Sequence, residues 1–161
     1  MSAVLIIGYG NPLRHDDGLG WLAAQRLTGL CEGVDTMAML HLTPELAEPI
    51  ARAKCVIFVD VSRTLTPGDV ETDVLEAEEM EHAGLMTHHV SPGILLTMAH
   101  VLYGHCPMAY QFAMGGEHFE LGDGFSPVVE QAFPALVERI WELAARVQEE
   151  IVTTRPGCVR A

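Results

Sequence analysis

Basic residues are scarce in this chain. Nine Lys and Arg stand against 22 Asp and Glu among 161 residues, a formal charge of −13. So acidic a chain repels phosphate backbones and anionic lipid faces, which argues against nucleic-acid and membrane partners. It can still attract a metal cation or a basic protein segment. Long hydrophobic runs are missing too. No stretch reaches the ~18 apolar residues of a membrane span. No secretory leader is expected, because the apolar run from Val4 to Ile7 stops at once in Gly8, Tyr9, Gly10, Asn11 and Pro12. The four cysteines (Cys31, Cys55, Cys106 and Cys158) are widely scattered and form no C-x-x-C. That argues against a disulfide scaffold or zinc knuckle and fits reduced thiols in the cytoplasm. There is no G-x-S-x-G elbow and no H-E-x-x-H, so a serine hydrolase or a zincin-type protease has no motif support.

What remains is a globular composition, 49% apolar and 19% charged, of a length that suits one domain. Residues 1–152 are expected to form that domain, with 153–161 as a frayed tail. Nothing in the sequence calls for an obligate oligomer. Strand and helix patterns alternate along it. Residues 3–10 read as a buried strand. Residues 18–30 form a helix with Leu19, Leu22, Ala23 and Leu27 inward and Asp16 or Asp17 at its N-cap. A strand at 34–40 precedes a helix at 43–53, capped by Thr43, opened by Pro44 and distorted at Pro49. Residues 55–62 are the clearest buried strand. A Pro67-Gly68-Asp69 turn leads to an exposed, charged edge strand at 70–79. Beyond a loop at 82–90, a Ser-Pro helix spans 91–104 and a core strand 108–116. A second Ser-Pro helix spans 126–151, with Pro134 bending or dividing it.

This alternation predicts a three-layer α/β domain with a mostly parallel sheet. Ligands of such sheets bind beyond the carboxyl ends of the strands. The loops after Gly10, Leu40, Val59 and Met114 therefore hold the candidate site.

Three groups of residues there could carry chemistry. The first is the loop "GYGNPLRHDDGLG". A dinucleotide fingerprint needs Gly where Leu13 stands, and the Asp16–Asp17 pair would repel a pyrophosphate. If one aspartate, Asp16, caps the helix, the other is free to bind a cation. The second is Asp60, which ends the run Val56-Ile57-Phe58-Val59; a carboxylate there is costly to bury unless paired or metal-bound. The third is the pair His88 and His89 before a capped helix. Two carboxylates and an imidazole suit a divalent first-row metal, since imidazole accommodates zinc, copper, iron and nickel. Three protein ligands leave positions for water or substrate.

These motifs, in this order, resemble the NiFe-hydrogenase maturation endopeptidases. "GYGNPLRHDDGLG" is similar to the family's N-terminal signature, "VIFVDVS" to its strand ending in an aspartate, and "THHVSPGILL" to its histidine loop and helix. "HLTPEL" and "GGEHFELGDGFSP" are similar to segments of one branch. The likeness extends from Val4 to about Ala145.

The resemblance implies an α/β/α sandwich with a twisted five-stranded sheet. It implies a cytoplasmic, nickel-dependent aspartyl-type endopeptidase that removes the C-terminal extension of a hydrogenase large-subunit precursor after nickel insertion. Carried over by motif, the metal-binding and catalytic residues are Asp17, Asp60 and His88, with His89 as rival ligand. Nickel would arrive with the precursor. Where other branches carry an acidic, glycine-rich stretch, this chain has His41, Leu42, Thr43 and Pro44. His41 is then either a group near the site or an exposed loop residue. The alternative function is a nickel-binding maturation chaperone that cuts nothing; a nucleotide-binding enzyme is a weaker third reading.

Overall fold

The computed structural model describes residues 2–79 and 90–154. Its elements follow in the order β1 (Val4–Tyr9), α1 (Leu19–Leu27), β2 (Val34–Met39), α2 (Ala47–Arg52), β3 (Cys55–Pro67), β4 (Val70–Leu75), α3 (Pro92–Tyr103), β5 (Met108–Gly115) and α4 (Pro127–Thr153). The strands form one sheet in the order β2-β1-β3-β5-β4. β1 pairs in parallel with both β2 and β3, and β3 in parallel with β5. Only the edge strand β4 runs antiparallel. The mostly parallel five-stranded sheet is as expected.

Alternation along the strands builds the layers. Val4 and Ile6 of β1, with Ile57 and Val59 of β3, point to one face. There they meet Leu19, Ala23 and Leu27 of α1 and Leu136 and Ile140 of α4. Leu5, Ile7, Val56 and Phe58 point the other way, against Ile50 of α2 and Leu95, Leu96 and Ala99 of α3. Because both faces are covered, β1 and the first five residues of β3 read as continuous apolar runs. Burying a side chain such as Ile6, Ile57 or Phe58 contributes about 1.5–3 kcal/mol.

Several details differ from the sequence reading. Neither aspartate caps α1. His15–Gly18 form a 3-10 turn, and Gly18 stands at the cap without any side-chain bond. Thr43 likewise makes no capping bond, and a 3-10 turn at Pro44–Leu46 feeds α2. Helix α4 is continuous through Pro134. That residue lies on the exposed side, where the Glu130 carbonyl it leaves unbonded stays near solvent, while Phe133 and Leu136 remain packed. β3 runs five residues past Ser62, with an irregularity in its pairing to β5 before Pro67. The Ser91 cap of α3 is as expected: its hydroxyl accepts the amide of Ile94 at 3.2 Å, and Gly104 closes the helix in the left-handed region.

The glycines of the first loop are set by close approach. A Cβ on Gly8 would lie 1.8 Å from the Gly20 carbonyl oxygen, and one on Gly20 would lie 2.2 Å from that of Val59. Helix α1 thus packs backbone to backbone on β1 and β3. Gly10 adds a φ of +139°, and a Cβ there would strike the Asp17 carbonyl oxygen at 1.8 Å.

Candidate active site

β1 is flanked by β2 on one side and β3 on the other, so the chain reverses its direction of travel across the sheet between β1 and β3. Such a point opens a crevice at the carboxyl ends of the strands. A cavity of about 490 Å³ lies there. β1 and its loop supply Tyr9, Gly10 and Asp17, and Asp60 of β3 faces them. Leu40, His41 and Leu42 after β2 form another wall, and Val90, before α3, completes the lining.

Asp17 and Asp60, 43 positions apart in sequence, therefore share one cavity. Asp17 Oδ2 accepts the Asn11 amide at 2.9 Å, which fixes the turn that carries it. Asp60 Oδ1 accepts the amide of Val61 at 2.8 Å. The Tyr9 hydroxyl, itself approached by Gln111 Nε2 at 3.5 Å, donates to the Asp60 carboxylate. Burial pushes Asp60 up to about 6. The Val61 amide and the Tyr9 hydroxyl oppose the rise, the Asp17 charge adds to it, and Arg63 offsets part of it. The Tyr9 phenol is pushed far up by burial and then by the neighbouring Asp60 charge.

Asp16 does something else entirely. It is fully buried and accepts four hydrogen bonds: from the amides of Glu117 at 2.8 Å, His118 at 3.0 Å and Ser126 at 2.8 Å, and from the Ser126 hydroxyl at 2.7 Å. Burial alone would raise its pKa. The four bonds outweigh that and hold it below the usual carboxylate range. Asp16 thus ties the loop bearing Asp17 to the segment before α4. The loop after Met114 serves as this anchor instead of lining the cavity.

His88 and His89 lie outside the described residues. Val90, which does line the cavity, follows them directly. Among the described residues no group of three His, Cys, Asp or Glu side chains is disposed to hold a metal ion. His41 is exposed yet stands on the cavity wall. The described pair fits part of a cation site on chemical grounds. Two carboxylates share a crevice in which Asp17 works against the ionisation of Asp60, and a cation between them would relieve that repulsion.

Sequence reasoning missed Tyr9 and the anchoring role of Asp16. Tyr9 had one available signal: it is the last residue of β1, directly beside the Asp60 end of β3. Asp16 had none, because its partners lie 101 to 110 positions away. None of the three described cysteines lines the cavity: Cys55 is buried in the core, while Cys31 and Cys106 lie elsewhere.

No family model matches the chain, and no curated protein matches it either. Solved structures do. The chain is similar to the hydrogenase maturating endopeptidase HybD from E. coli, at 22% identity and a TM-score of 0.70, over 91% of this chain and 93% of that one. It is similar to a hydrogenase 2 maturation peptidase from a Thaumarchaeota archaeon, at 26% identity and a TM-score of 0.66, over 89% and 99%. It is also similar to the NiFe-hydrogenase maturation protease HycI from Thermococcus kodakarensis, at 22% identity and a TM-score of 0.66, over 92% and 93%. The chain has the fold of these peptidases, as its motifs imply.

Proposed function

We propose that this chain is a peptidase of hydrogenase maturation, removing the C-terminal extension of a NiFe-hydrogenase large-subunit precursor once nickel is in place. The observation that carries the reading is the meeting of Asp17 and Asp60 in one crevice at the carboxyl rim of the sheet. It stands beside structural similarity, over 91% and 89% of this chain, to two peptidases named for hydrogenase maturation. No helix among the described residues is long and apolar enough to cross a membrane, and we place the reaction in the cytoplasm.

Nickel enters as part of the substrate. Asp17 and Asp60 approach it from β1 and β3, and His88 is the third group on the strength of the family motif. His89 is its rival. With the metal held, the scissile peptide is fixed against the crevice, and positioning supplies much of the rate. Water attacks the scissile carbonyl carbon. A carboxylate takes the water's proton, the C–N bond breaks, and the proton passes to the departing amine. Asp60 suits the first transfer by its place: its carboxylate faces the crevice at the end of the buried part of β3, on the same cavity wall as Asp17. Tyr9 and the Val61 amide hold its carboxylate in place meanwhile.

The test is to incubate the protein with a nickel-loaded precursor and measure masses. Two products, the mature subunit and the short extension, are expected. An unchanged precursor mass that nonetheless depends on complex formation would indicate the chaperone instead. Asp17→Asn and His88→Ala are expected to abolish cleavage while leaving the fold intact by circular dichroism. Normal cleavage by His88→Ala removes that residue from the site.

A further inference from the structure

β2 is an edge strand, and its outer side is unpaired among the described residues. The pleat shows which groups are free. The Gly33 carbonyl accepts the amides of Ala3 and Val4 at 3.0 and 3.1 Å, and the Met39 carbonyl accepts the Gly10 amide at 3.0 Å. The odd positions of β2 therefore turn their main chain toward β1. By alternation, Thr36 and Ala38 present their amides and carbonyls outward.

Two concavities bracket this edge. An open groove of about 910 Å³ follows the first part of β2, lined by Asp35, Thr36 and Met37 of the strand and by α2. The catalytic cavity begins where β2 ends, at Leu40, His41 and Leu42. A strand of six residues spans about 20 Å, so one continuous edge leads from the groove to Asp17 and Asp60. The groove is also acidic. Glu32 and Asp35 line it, whereas its Arg52 is paired with Glu48.

We propose that the free edge of β2 receives the C-terminal segment of the precursor as an added strand, leading the scissile bond into the Asp17–Asp60 cavity. This rests on the peptidase reading above. The occupant fitted by the edge and its charge is an extended peptide with basic side chains on the groove side. Main-chain pairing supplies affinity without demanding one sequence, and the groove selects among side chains. Pairing to the backbone also holds the scissile peptide extended, the form in which both faces of its carbonyl are accessible.

The experiment uses the full chain and a nickel-loaded large-subunit precursor that the wild-type protein cleaves. Wild-type protein is mixed with an excess of that precursor, and amide hydrogen exchange over residues 34–42 is followed by pulse labelling during turnover. Exchange at Thr36 and Ala38 should slow at least about tenfold on binding. In parallel, Ala38→Pro, which deletes one outward amide and leaves the β1 ladder whole, should raise KM about tenfold with kcat unchanged. Cleavage by the wild type with unaltered exchange at Thr36 and Ala38 overturns the strand-addition proposal and leaves the peptidase reading standing. Failure of the wild type to cleave any nickel-loaded precursor overturns both. If Ala38→Pro does not fold, the exchange result decides alone.

Discussion

Replacing Asp16 by Asn tests whether this buried carboxylate is the clamp of the loop that carries Asp17. The swap keeps shape and volume but leaves one acceptor oxygen in place of two. Oδ2 receives three donors (Glu117 N, His118 N and Ser126 Oγ), while Oδ1 receives the Ser126 amide. The least damaging orientation keeps the oxygen at Oδ2 and aims an NH2 at the Ser126 N–H. One hydrogen bond to a charged acceptor, about 1.5–3 kcal/mol, is lost, and a buried donor is left unsatisfied at about 1–3 kcal/mol. The expected loss is about 3–5 kcal/mol, or roughly 10 °C in Tm for a domain of this size. Asp17→Asn, one position on, loses a single bond to Asn11 and should cost no more than about 1 kcal/mol. Urea unfolding at pH 7 measures both. The pH dependence carries a second check. A carboxylate held below its usual range stabilises the fold fully above about pH 4 and loses that contribution as pH falls through its folded value. Wild type and Asp16→Asn should therefore converge in acid. A cost under about 1 kcal/mol at pH 7, or a gap that widens in acid, refutes the clamp.

Asp60 should behave in the opposite sense. Its carboxyl is pushed up to about 6, so the folded state binds the extra proton and stability falls as pH rises from about 4 to 6. Asp60→Asn should gain about 2 kcal/mol above pH 7 while losing cleavage; an equal or lower stability at pH 8 rejects the environment assigned to it. Gly20→Ala drives a methyl into the Val59 and Tyr9 carbonyls and should cost about 3 kcal/mol or prevent folding, read by thermal melts. A Tm within 2 °C of wild type, a change of about 1 kcal/mol or less, would contradict the close packing of α1 on the sheet. Precursor prepared without nickel should stay uncut over the time that loaded precursor is fully processed; equal cleavage of both, seen by mass, would remove nickel from recognition.

Much of this molecule is local in its sequence. The continuous apolar runs at Val4–Ile7 and Cys55–Val59 announce strands covered on both faces, and the Ser-Pro starts at 91 and 126 announce helices, because burial and proline geometry act within a few residues. Asp60 was legible for the same reason: a carboxylate ending a buried strand has few reasons to be there. The placement of the acid-pair loop beside it followed from the alternation of strands and helices and the crevice rule, and the choice of Asp17 within that pair came from the resemblance alone. The role of Asp16 as a long-range anchor was not legible. Asp16 and Asp17 are chemically identical neighbours, and only tertiary contacts more than a hundred residues away make one a buried anchor and leave the other on the cavity wall. Tyr9 acquires its role through the register that sets β1 beside β3. The open edge of β2 depends on strand order, which no periodicity encodes. Short-range pattern is written by steric and hydrophobic preferences of adjacent residues, whereas partner choice across the sheet is a property of the whole packed chain.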